Sequence, residues 1–487
     1  MMTKIYKLIL LLFFFLSAGE LIAQDKFTLS GYMKDGDTGE ALIQANIYRK
    51  DSLSIGTNSN QYGFYSLSLP AGKYILVYSY LGYMNQEFEI ELNKNIRLNV
   101  EMESGVSFEE IVVTSEEKDQ NIKSTAMGRV ELPMENIKKL PSLMGEVDIL
   151  KTLQLLPGVL SSTEGNTGFY VRGGGPDQNL IQLDEAVVYN TGHMLGFFSV
   201  FNSDAIKNTT LIKGSMPPIY GGRLSSVVDV QMKEGNNQNF QAQGGIGLVA
   251  SRLALEGPIV KDKSSFIVSA RRTYAFDLAQ GFLKETSFAG TNYYFYDLNA
   301  KANYRFSDKD HLYISGYFGR DIFRFKSANR GLGFLMTYGN ATGTLRWNHL
   351  FNDKLFMNVS AIVNEYKFDF DAAQDAFTLN VYSGVRDYSG KVDFDYYHSE
   401  PHHIKFGIHS THHRLTPNLA QATSGEEEFM NNIQVKNGLE SGVYIQDDFR
   451  VNARLKLNVG VRGSWFMQLG PYNSLDDEMT YKKGEVV

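Results

Sequence analysis

The sequence has no cysteine, and it has only two tryptophans and 11 prolines in 487 residues. Without cysteine the chain cannot form a disulfide, a thiolate zinc site, a cysteine nucleophile or a lipid attachment through an N-terminal cysteine. It also lacks an excess of basic residues, because 54 Asp and Glu outnumber 47 Lys and Arg and give a formal net charge of −7. This sign of charge argues against phosphate-driven binding to nucleic acid.

Sequence motifs of common enzymes are also missing. The chain has no Gly-x-Ser-x-Gly elbow and no His-Glu-x-x-His pair, and no Gly-Lys-Ser/Thr follows the triple glycine at 173–175. Six of the nine histidines lie between 398 and 413, where His403, His409 and His413 share strand parity, but no thiolate or defined carboxylate spacing accompanies them. We therefore expect no enzyme, no cofactor and no metal site, and we expect these histidines at strand ends and turns.

Residues 1–23 have the features of a secretory signal peptide. Two lysines precede an uncharged run from Leu8 to Gly19, Glu20 ends the run, and Ala23 closes an imperfect small-x-small cleavage site. The alternative, a membrane anchor, needs about 20 apolar residues. No other stretch is apolar enough to span as a helix, so a membrane location would require a closed β-barrel.

Residues 25–103 predict a small β-sandwich of about seven short strands separated by glycine-rich turns. Tyr74, Leu76, Tyr78 and Tyr80 alternate with other residues, which indicates a strand with one buried face. The spacing of several short motifs resembles the carboxypeptidase-regulatory-like domain, a non-catalytic sandwich in that family. These motifs are Gly31, Thr38-Gly39, Ala45-Asn46-Ile47, Gly56-Thr57, Gly63-Phe64-Tyr65, Pro70 to Tyr74 and Gly82-Tyr83.

Residues 104–125 form a charged and polar linker around a single apolar patch. The patch comprises Glu109, Glu110, Ile111, Val112, Val113 and Thr114. It has two interpretations: an edge strand of the next domain, or an extended peptide that adds as a strand to a partner.

Residues 126–235 predict an α+β segment. A short helix after Ser142 stops at Pro157-Gly158 and buries one face, formed by Ile149, Leu150, Leu153 and Leu156. Two glycine-rich motifs follow, one before and one after a strand that ends at Asp184. They are Arg172-Gly173-Gly174 and Tyr220-Gly221-Gly222-Arg223, and their glycines predict tight backbone turns.

These pieces together resemble a known family. The patch at 109–114 looks like a TonB box, the helix with the Arg172-Gly173-Gly174 and Leu183-Asp184 motifs looks like a plug domain, and Tyr220 to Arg223 looks like the closing motif of that plug. In this order, behind a regulatory sandwich, they resemble the TonB-dependent outer-membrane receptors of the Bacteroidetes type. One departure is Glu185-Ala186, where many members have Gly and Pro, so the geometry of this hairpin is an open question.

The resemblance implies a partner, a location and a function. The partners would be TonB, through the box, and outer-membrane lipid, together with a small-molecule or oligomeric substrate; the family also allows a surface lipoprotein. The location would be the outer membrane, with the sandwich and the linker in the periplasm. The function would be uptake of a siderophore, oligosaccharide, cobalamin or peptide. The alternative function is that of a secreted or surface-associated binding protein that transports nothing.

Residues 236–487 predict the N-terminal part of a transmembrane antiparallel β-barrel. Segments of about ten residues alternate in polarity, most clearly where Leu455, Leu457, Val459 and Val461 alternate with polar residues. In 355–371 the phase changes, which indicates either a bulge or a strand that continues beyond the membrane. The alternative is a large soluble β-sandwich or propeller.

The number of strands does not match a complete barrel. The 252 residues of 236–487 supply roughly a dozen strands at about 20 residues each. A closed barrel of that size has a radius near 12 Å, too narrow for a plug of about 110 residues. Members of the family have 22 strands, so we expect that this sequence lacks about half of the barrel.

Two arginines in the plug motifs lead to a hypothesis about how the plug is held. Arg172 and Arg223 each lie beside glycines, and a buried arginine needs a carboxylate partner, for which Glu256 is a candidate. The alternative is an exposed arginine that caps a turn.

Overall fold

The computed structural model describes residues 26–105, 128–140, 145–163, 166–286, 289–327, 331–431, 433–452, 455–470, 472–473 and 480–481. The expected signal peptide and the apolar patch at 109–114 lie outside these residues. The described chain falls into two compact units. Both units consist mainly of strands, as the sequence predicts.

The first unit is a sandwich of two sheets. One sheet has the order β4-β1-β7, with β8 also paired to β1, and the other has the order β3-β2-β5-β6. The strands are β1 (Lys26–Asp35), β2 (Asn46–Arg49), β3 (Ser52–Asn58), β4 (Phe64–Pro70), β5 (Gly72–Ser79), β6 (Gln86–Leu92), β7 (Ile96–Arg97) and β8 (Val100–Met102).

The interior of the sandwich confirms the alternation predicted for β5. Leu76 and Tyr78 are fully buried in the apolar core, and Tyr74 and Tyr80 pack against it while partly exposed. The Tyr78 ring meets the Tyr65 ring edge-on, with the ring centroids 5.7 Å apart. Burial of one face of a period-two strand against a second sheet is what makes this segment a sandwich.

The second unit begins with the segment that the resemblance assigns to a plug, here called the plug. Its main sheet has the order β13-β12-β17-β16-β9, in which only β12 and β17 run parallel. The strands are β9 (Arg129–Pro133), β10 (Val159–Ser161), β11 (Phe169–Val171), β12 (Asn179–Leu183), β13 (Ala186–Val187), β14 (Gly192–His193), β15 (Phe198–Ser199), β16 (Ile206–Lys213) and β17 (Ser226–Met232). The helices are α1 (Met134–Ile137) and α2 (Ile149–Leu153), with short 3-10 turns at Pro176–Gln178 and Met194–Gly196.

The predicted amphipathic helix is present as α2 but is only five residues long. Its cap is Asp148, whose side chain accepts a hydrogen bond from the Lys151 N–H, whereas Ser142 lies outside the described residues. Ile149, Leu150 and Leu153 are fully buried in the apolar core of the plug. The plug therefore has a core of its own, distinct from its contacts with the rest of the unit.

The plug leads into a 12-stranded antiparallel sheet, here called the strand ladder. Its strands pair in sequence order, with β27 as a side strand on β26, and a short helix α3 (Ala275–Leu283) connects β20 to β21. The strands are β18 (Gln241–Ile246), β19 (Ala250–Val260), β20 (Ser264–Thr273), β21 (Asn292–Arg305), β22 (Asp310–Lys326), β23 (Leu332–Asn352), β24 (Leu355–Gln374), β25 (Phe377–Ser399), β26 (His402–Ser424), β27 (Glu427–Met430), β28 (Lys436–Asn452) and β29 (Leu455–Leu469). Beyond it β30 (Tyr472–Asn473) pairs with β31 (Thr480–Tyr481).

The strand ladder resembles part of a barrel and is not closed, since β18 and β29 do not pair with each other in the described chain. Its number of strands agrees with the predicted dozen. At one end the strands join through short connections at 261–263, 306–309, 353–354 and 400–401. We call this the turn end, and we call the opposite end, which holds α3, the loop end.

The two faces of the ladder differ, as alternation requires. The plug face is the one whose side chains contact the plug, and the outer face is the opposite one. On β28 the plug-face residues Tyr444 and Gln446 are buried, while Val443 and Ile445 on the outer face are about half exposed. Leu455, Leu457, Val459 and Val461 of β29 are likewise exposed, so the predicted apolar outer face is confirmed.

The change of phase predicted in 355–371 is not caused by a β-bulge between β24 and β25. The register between β24 and β25 is uninterrupted from Leu355↔Tyr396 to Gln374↔Phe377. The alternation of inner and outer side chains is thus constant, and what changes along the strand is the polarity of each face. The second interpretation, a strand that continues past an apolar outer band, accounts for this pattern.

Candidate functional site

The plug contacts the strand ladder mainly through charged and polar side chains, many of them fully buried. This interface is the candidate functional site. The contacts fall into three groups: the hairpin at Asp184, the loop at His193 and the motif at Tyr220. Because buried charges are costly unless paired, their arrangement decides how firmly the plug is held.

The hairpin between β12 and β13 turns through Asp184 and Glu185. Both residues have left-handed backbone conformations, with φ of 46° and 72°, as a two-residue type I′ turn requires. Lys301 of β21 lies 2.9 Å from the Asp184 carboxylate, and Thr344 of β23 donates a hydrogen bond to the Asp184 carbonyl at 3.1 Å. The motif residue Asp184 therefore joins the plug to two strands of the ladder.

Glu185 explains how this hairpin tolerates a residue other than glycine. Its carboxylate lies 3.6 Å from Arg346 and 3.5 Å from Lys391, and it accepts a hydrogen bond of 2.5 Å from the Ser360 hydroxyl. Burial alone would raise the pKa of Glu185, but Lys391 and Arg346 lower it to about 2. These contacts with three strands offset the strain of a non-glycine residue at positive φ.

The loop at His193 contains the most deeply buried charges of the interface. His193 Nδ1 lies 2.5 Å from Asp321 of β22, and Nε2 lies 2.7 Å from Asp297 of β21. The imidazole stacks on Phe295, with ring centroids 4.0 Å apart. Burial opposes the charge, but Asp297 and Asp321 raise the pKa of His193 to about 9, so both ring nitrogens donate at neutral pH.

Arg271 of β20 extends this network to a second part of the plug. Its guanidinium donates two hydrogen bonds, of 2.8 and 2.6 Å, to Asp297 and one of 2.8 Å to the Ser199 carbonyl. It also lies 3.6 Å from the carboxylate of Glu146. Asp297 thus neutralises one cation from the plug and one from the ladder.

The motif at Tyr220 approaches the ladder through its backbone. A Cβ atom added at Gly221 would lie 2.5 Å from Arg462 of β29, and one added at Gly222 would lie 2.9 Å from Glu440 of β28. Arg462 donates a hydrogen bond of 3.0 Å to the carbonyl of Pro218. A side chain at either position would have to displace the Arg462 guanidinium or the Glu440 carboxylate, and Gly222 also has a left-handed backbone conformation, which favours glycine.

Tyr220 and Arg223, at the two ends of this motif, have different surroundings. The Tyr220 hydroxyl lies 3.5 Å from Asp229 inside the plug. Burial, with the nearby Glu185, raises the pKa of Asp229 to about 6. Arg223 is partly buried and donates a hydrogen bond to the carbonyl of Gly222.

The Arg172-Gly173-Gly174 motif forms the predicted tight turn. Arg172 and Gly173 have positive φ, and Val171 and Gly174 exchange backbone hydrogen bonds across them. Arg172 is exposed. Gly174 lies so close to Ser225 that an added Cβ would be 2.4 Å from the serine side chain.

The hypothesis of an ion pair with Glu256 is not supported by the geometry of the described residues. Neither Arg172 nor Arg223 forms an ion pair with Glu256, which lies on β19. At Asp184, Glu185 and Glu146 the plug provides the carboxylate and the ladder provides a lysine or arginine, whereas at His193 the plug provides the cation. Arg172 is exposed, in agreement with the alternative of an arginine at a turn, and Arg223 is partly buried.

The histidines of β26 lie in the strand and do not converge on one point. His403 pairs with Asp395 at 3.1 Å, whereas His413 pairs with Asp387 at 2.8 Å and with Glu440 at 3.6 Å. Among the residues that the structure describes, no group of three or more histidine, aspartate or glutamate side chains is arranged to hold a metal ion. The expectation of strand ends holds for His398 at the end of β25 and for His402 and His403 at the start of β26. It was wrong for His409, His412 and His413, which lie inside β26.

Two residues of this interface were not predicted from the sequence. His193 and Arg271 have no motif around them, and only the fold brings them to the two sides of Asp297. The patch at 109–114, from Glu109 to Thr114, lies outside the described residues, and its role stays a prediction. Within the described part of the chain, no helix is both long and apolar enough to cross a membrane.

Comparisons with known proteins agree with this arrangement. Residues 29–113 match the CarboxypepD_reg-like domain, and residues 123–228 match the TonB-dependent Receptor Plug Domain. A curated relative, TonB-dependent receptor P3 of Formosa agariphila, is 33% identical over 110 residues, which are 23% of this chain and 11% of the relative.

Two solved structures show the same fold at low sequence identity. FpvA of P. aeruginosa, solved with heterologous pyoverdines, aligns with a TM-score of 0.53 and 12% identity over 74% of this chain and 54% of its own. The copper transporter OprC aligns with a TM-score of 0.54 and 11% identity over 74% of this chain and 57% of its own. The chain thus spans little more than half of these solved chains.

Proposed function

We propose that this chain, which has the plug domain of the TonB-dependent receptors behind a carboxypeptidase-regulatory-like domain, is an energised uptake receptor of the outer membrane. A substrate would bind at the loop end, and TonB would pull on the plug from the turn end. No chemistry on the substrate is needed, so the protein would not be an enzyme. The sandwich and the linker would lie in the periplasm.

The observation that carries the proposal is the polarity of the interface between plug and ladder. The plug keeps most of its apolar core to itself. Apart from an apolar cluster around Phe198 and Phe295, its contacts with the ladder are mainly ion pairs and hydrogen bonds. Water can replace such contacts one by one as the plug moves, whereas an apolar interface would expose its whole area at once. A domain that is seated in this way can be displaced without being unfolded.

The way in which force reaches the plug is a second part of the proposal. The patch from Glu109 to Thr114 would add as a strand to TonB, with Ile111 and Val113 setting the register. Replacing Val112 with Pro removes a backbone donor and should abolish binding of the periplasmic domain of TonB, measured by calorimetry. Val112→Ala, which keeps the donor, is the matched control. Equal affinity of both variants would contradict the role of the patch.

Tethering the plug tests whether it must move. Asn190 of the plug and Asn340 of β23 exchange hydrogen bonds of 3.2 and 2.6 Å, and the chain has no other cysteine, so Asn190→Cys with Asn340→Cys gives one defined disulfide. Oxidation of the two cysteines should block uptake of a radiolabelled mixture of candidate substrates and leave binding of that mixture intact. Adding a reductant should restore uptake. The control pair, Ala302→Cys with Ile314→Cys, links two ladder strands. Uptake that survives the plug tether would rule out displacement of the plug.

The alternative of a secreted or surface-associated binding protein is tested by membrane extraction. A strand ladder with an apolar outer face should need detergent for release from the outer membrane. Release by high salt alone would favour the alternative. The identity of the two solved relatives with this chain is 12% or less, so their ligands are no guide to its substrate.

A further inference from the structure

The plug face of the ladder becomes aromatic toward the loop end. Six rings from three neighbouring strands, here called the aromatic wall, lie on this face: Phe323, Phe325, Phe334, Tyr366, Phe368 and Phe370. They share the face because Asp321, Asn340 and Ser360, which contact the plug, lie on the same strands at even residue spacings, and the register is unbroken between them.

Four of the six rings form one connected group centred on Phe334. Its centroid lies 5.3 Å from that of Phe323, 5.1 Å from that of Phe325 and 5.6 Å from that of Phe370. All of these rings are only partly buried. Stacked and edge-on contacts at these distances fix the rings in place, so their remaining exposed surface is preformed.

The aromatic wall is continuous with the plug. Phe323 packs in an apolar cluster that also contains Met194 and Phe197 of the plug. Between these two residues Leu195 forms the tip of the loop, with 69% of its surface exposed and a left-handed backbone conformation. A ligand on the wall would therefore also touch the plug, close to His193.

Lipid is not what covers the wall. The opposite side of the same strand segments is charged: Arg320 lies 3.7 Å from Asp369, and Lys367 lies 2.9 Å from Glu365. A band with charges of both signs on the outer face lies outside the hydrocarbon region. The apolar side chains here point inward, which is the reverse of the pattern near the turn end.

The wall also has no positive charge. At the plug-face positions of 321–325, 332–338, 364–374 and 377–387, all within the described chain, no lysine or arginine occurs. The two acids at these positions are already paired, Asp321 with His193 and Asp387 with His413. An anionic ligand would lose its hydration here without gaining a cation.

We infer that the aromatic wall and the plug tip at Leu195 bind a neutral, ring-bearing small molecule. Stacking on Phe334 and its neighbours would supply the affinity, and the lack of a cation would exclude anionic analogues. This inference rests on the proposed function, because it takes the loop end as the side on which substrate arrives. It limits the substrates of the receptor to neutral molecules, which electrostatic attraction does not select.

The test compares two probes that share a ring system, coumarin and coumarin-3-carboxylate. Their affinity for the purified full chain in detergent is measured by saturation-transfer NMR, with protein-free micelles subtracted. Coumarin should bind and the carboxylate should not. Phe334→Ser should weaken the binding of coumarin roughly tenfold. Leu335→Ser, on the outer face of the same strand, should not change the affinity.

A second variant should gain a new binding preference, a result that a failure to fold could not produce. Phe370→Lys places a cation on the wall and should reverse the preference, so that the carboxylate binds more tightly than coumarin. Equal binding of both probes to the unchanged chain, or an unchanged preference in Phe370→Lys, would overturn the inference. These measurements need neither TonB nor a membrane potential, so their failure would leave the uptake proposal and its own tests untouched.

Discussion

Replacing His193 with alanine should loosen the plug more than any other single change in the loop. The substitution removes two ion pairs, at 2.5 and 2.7 Å, from a site where all three partners are fully buried. Asp297 keeps Arg271 and Tyr317 as partners, but Asp321 keeps only the Tyr293 hydroxyl and the Met194 N–H among its hydrogen bonds in the described chain. The variant thus leaves a buried carboxylate without its cation.

The expected magnitude follows from the cost of such a carboxylate. Removing one partner of a buried ion pair costs about 3–5 kcal/mol, which corresponds to a roughly 10²- to 10⁴-fold larger population of the open plug. Hydrogen exchange of the backbone amides of β12 and β16 reports this opening. Adding Asp321→Asn to the variant should recover much of the loss, because both charged partners are then gone.

The matched control is His402, which also pairs with an aspartate. His402 lies 2.7 Å from Asp447, but about a third of each side chain is exposed. A pair of this kind contributes about 0–1 kcal/mol, so His402→Ala should change exchange in the plug by no more than roughly fivefold. If the two alanine variants gave the same rates, the buried network would not be what holds the plug.

Three further predictions concern the same interface. Because the pKa of His193 is raised to about 9, the contribution of His193 to holding the plug is complete below about pH 6.5 and falls as the pH rises through 9. Hydrogen exchange of the plug amides, corrected for intrinsic rates, should show this loss in the unchanged chain and not in His193→Ala. Asp229→Asn should stabilise the plug by up to about 3 kcal/mol at pH 8 and by little at pH 4, since burial raises the pKa of Asp229 to about 6; equal effects at both pH values in urea titrations would contradict this. Gly221→Ala should push Arg462 aside and cost about 1–3 kcal/mol of plug stability, whereas Gly281→Ala in α3, with open space around it, should cost nothing measurable by the same titration.

The fold was largely predictable because it rests on local patterns. The alternation at Tyr74 to Tyr80 predicted a strand with a buried face, and the alternation at Leu455 to Val461 predicted a strand with an apolar outer face; both strands are present. The short helix at 149–153 was predicted from its apolar spacing, but its cap was not. Asp148 caps the helix by accepting a hydrogen bond from the Lys151 N–H, and several nearby polar residues could have made this contact. Caps of this kind are decided by the geometry of the preceding chain.

The site was predictable only in part, because its contacts join residues far apart in sequence. The glycines at 173, 221 and 222 were recognised as turn or close-approach positions, since glycine has a local signature. His193 and Arg271 have none, and their importance arises from a single aspartate 26 or more residues away. The pairing of the plug arginines with Glu256 was a hypothesis about such a distant contact, and in the described residues Lys301, Arg346 and Lys391 of the ladder instead meet carboxylates of the plug.

The unbroken register of β24 and β25 has a consequence for how this protein can change over evolutionary time. Alternate positions of one rigid hairpin face two different environments, so a mutation at Phe370 alters the inner surface while its neighbours Asp369 and Asp371 continue to meet water on the other side. Substitutions that change the inner surface and substitutions that change the outer surface therefore act on separate sets of residues. Either surface can change in evolution while the other stays as it is.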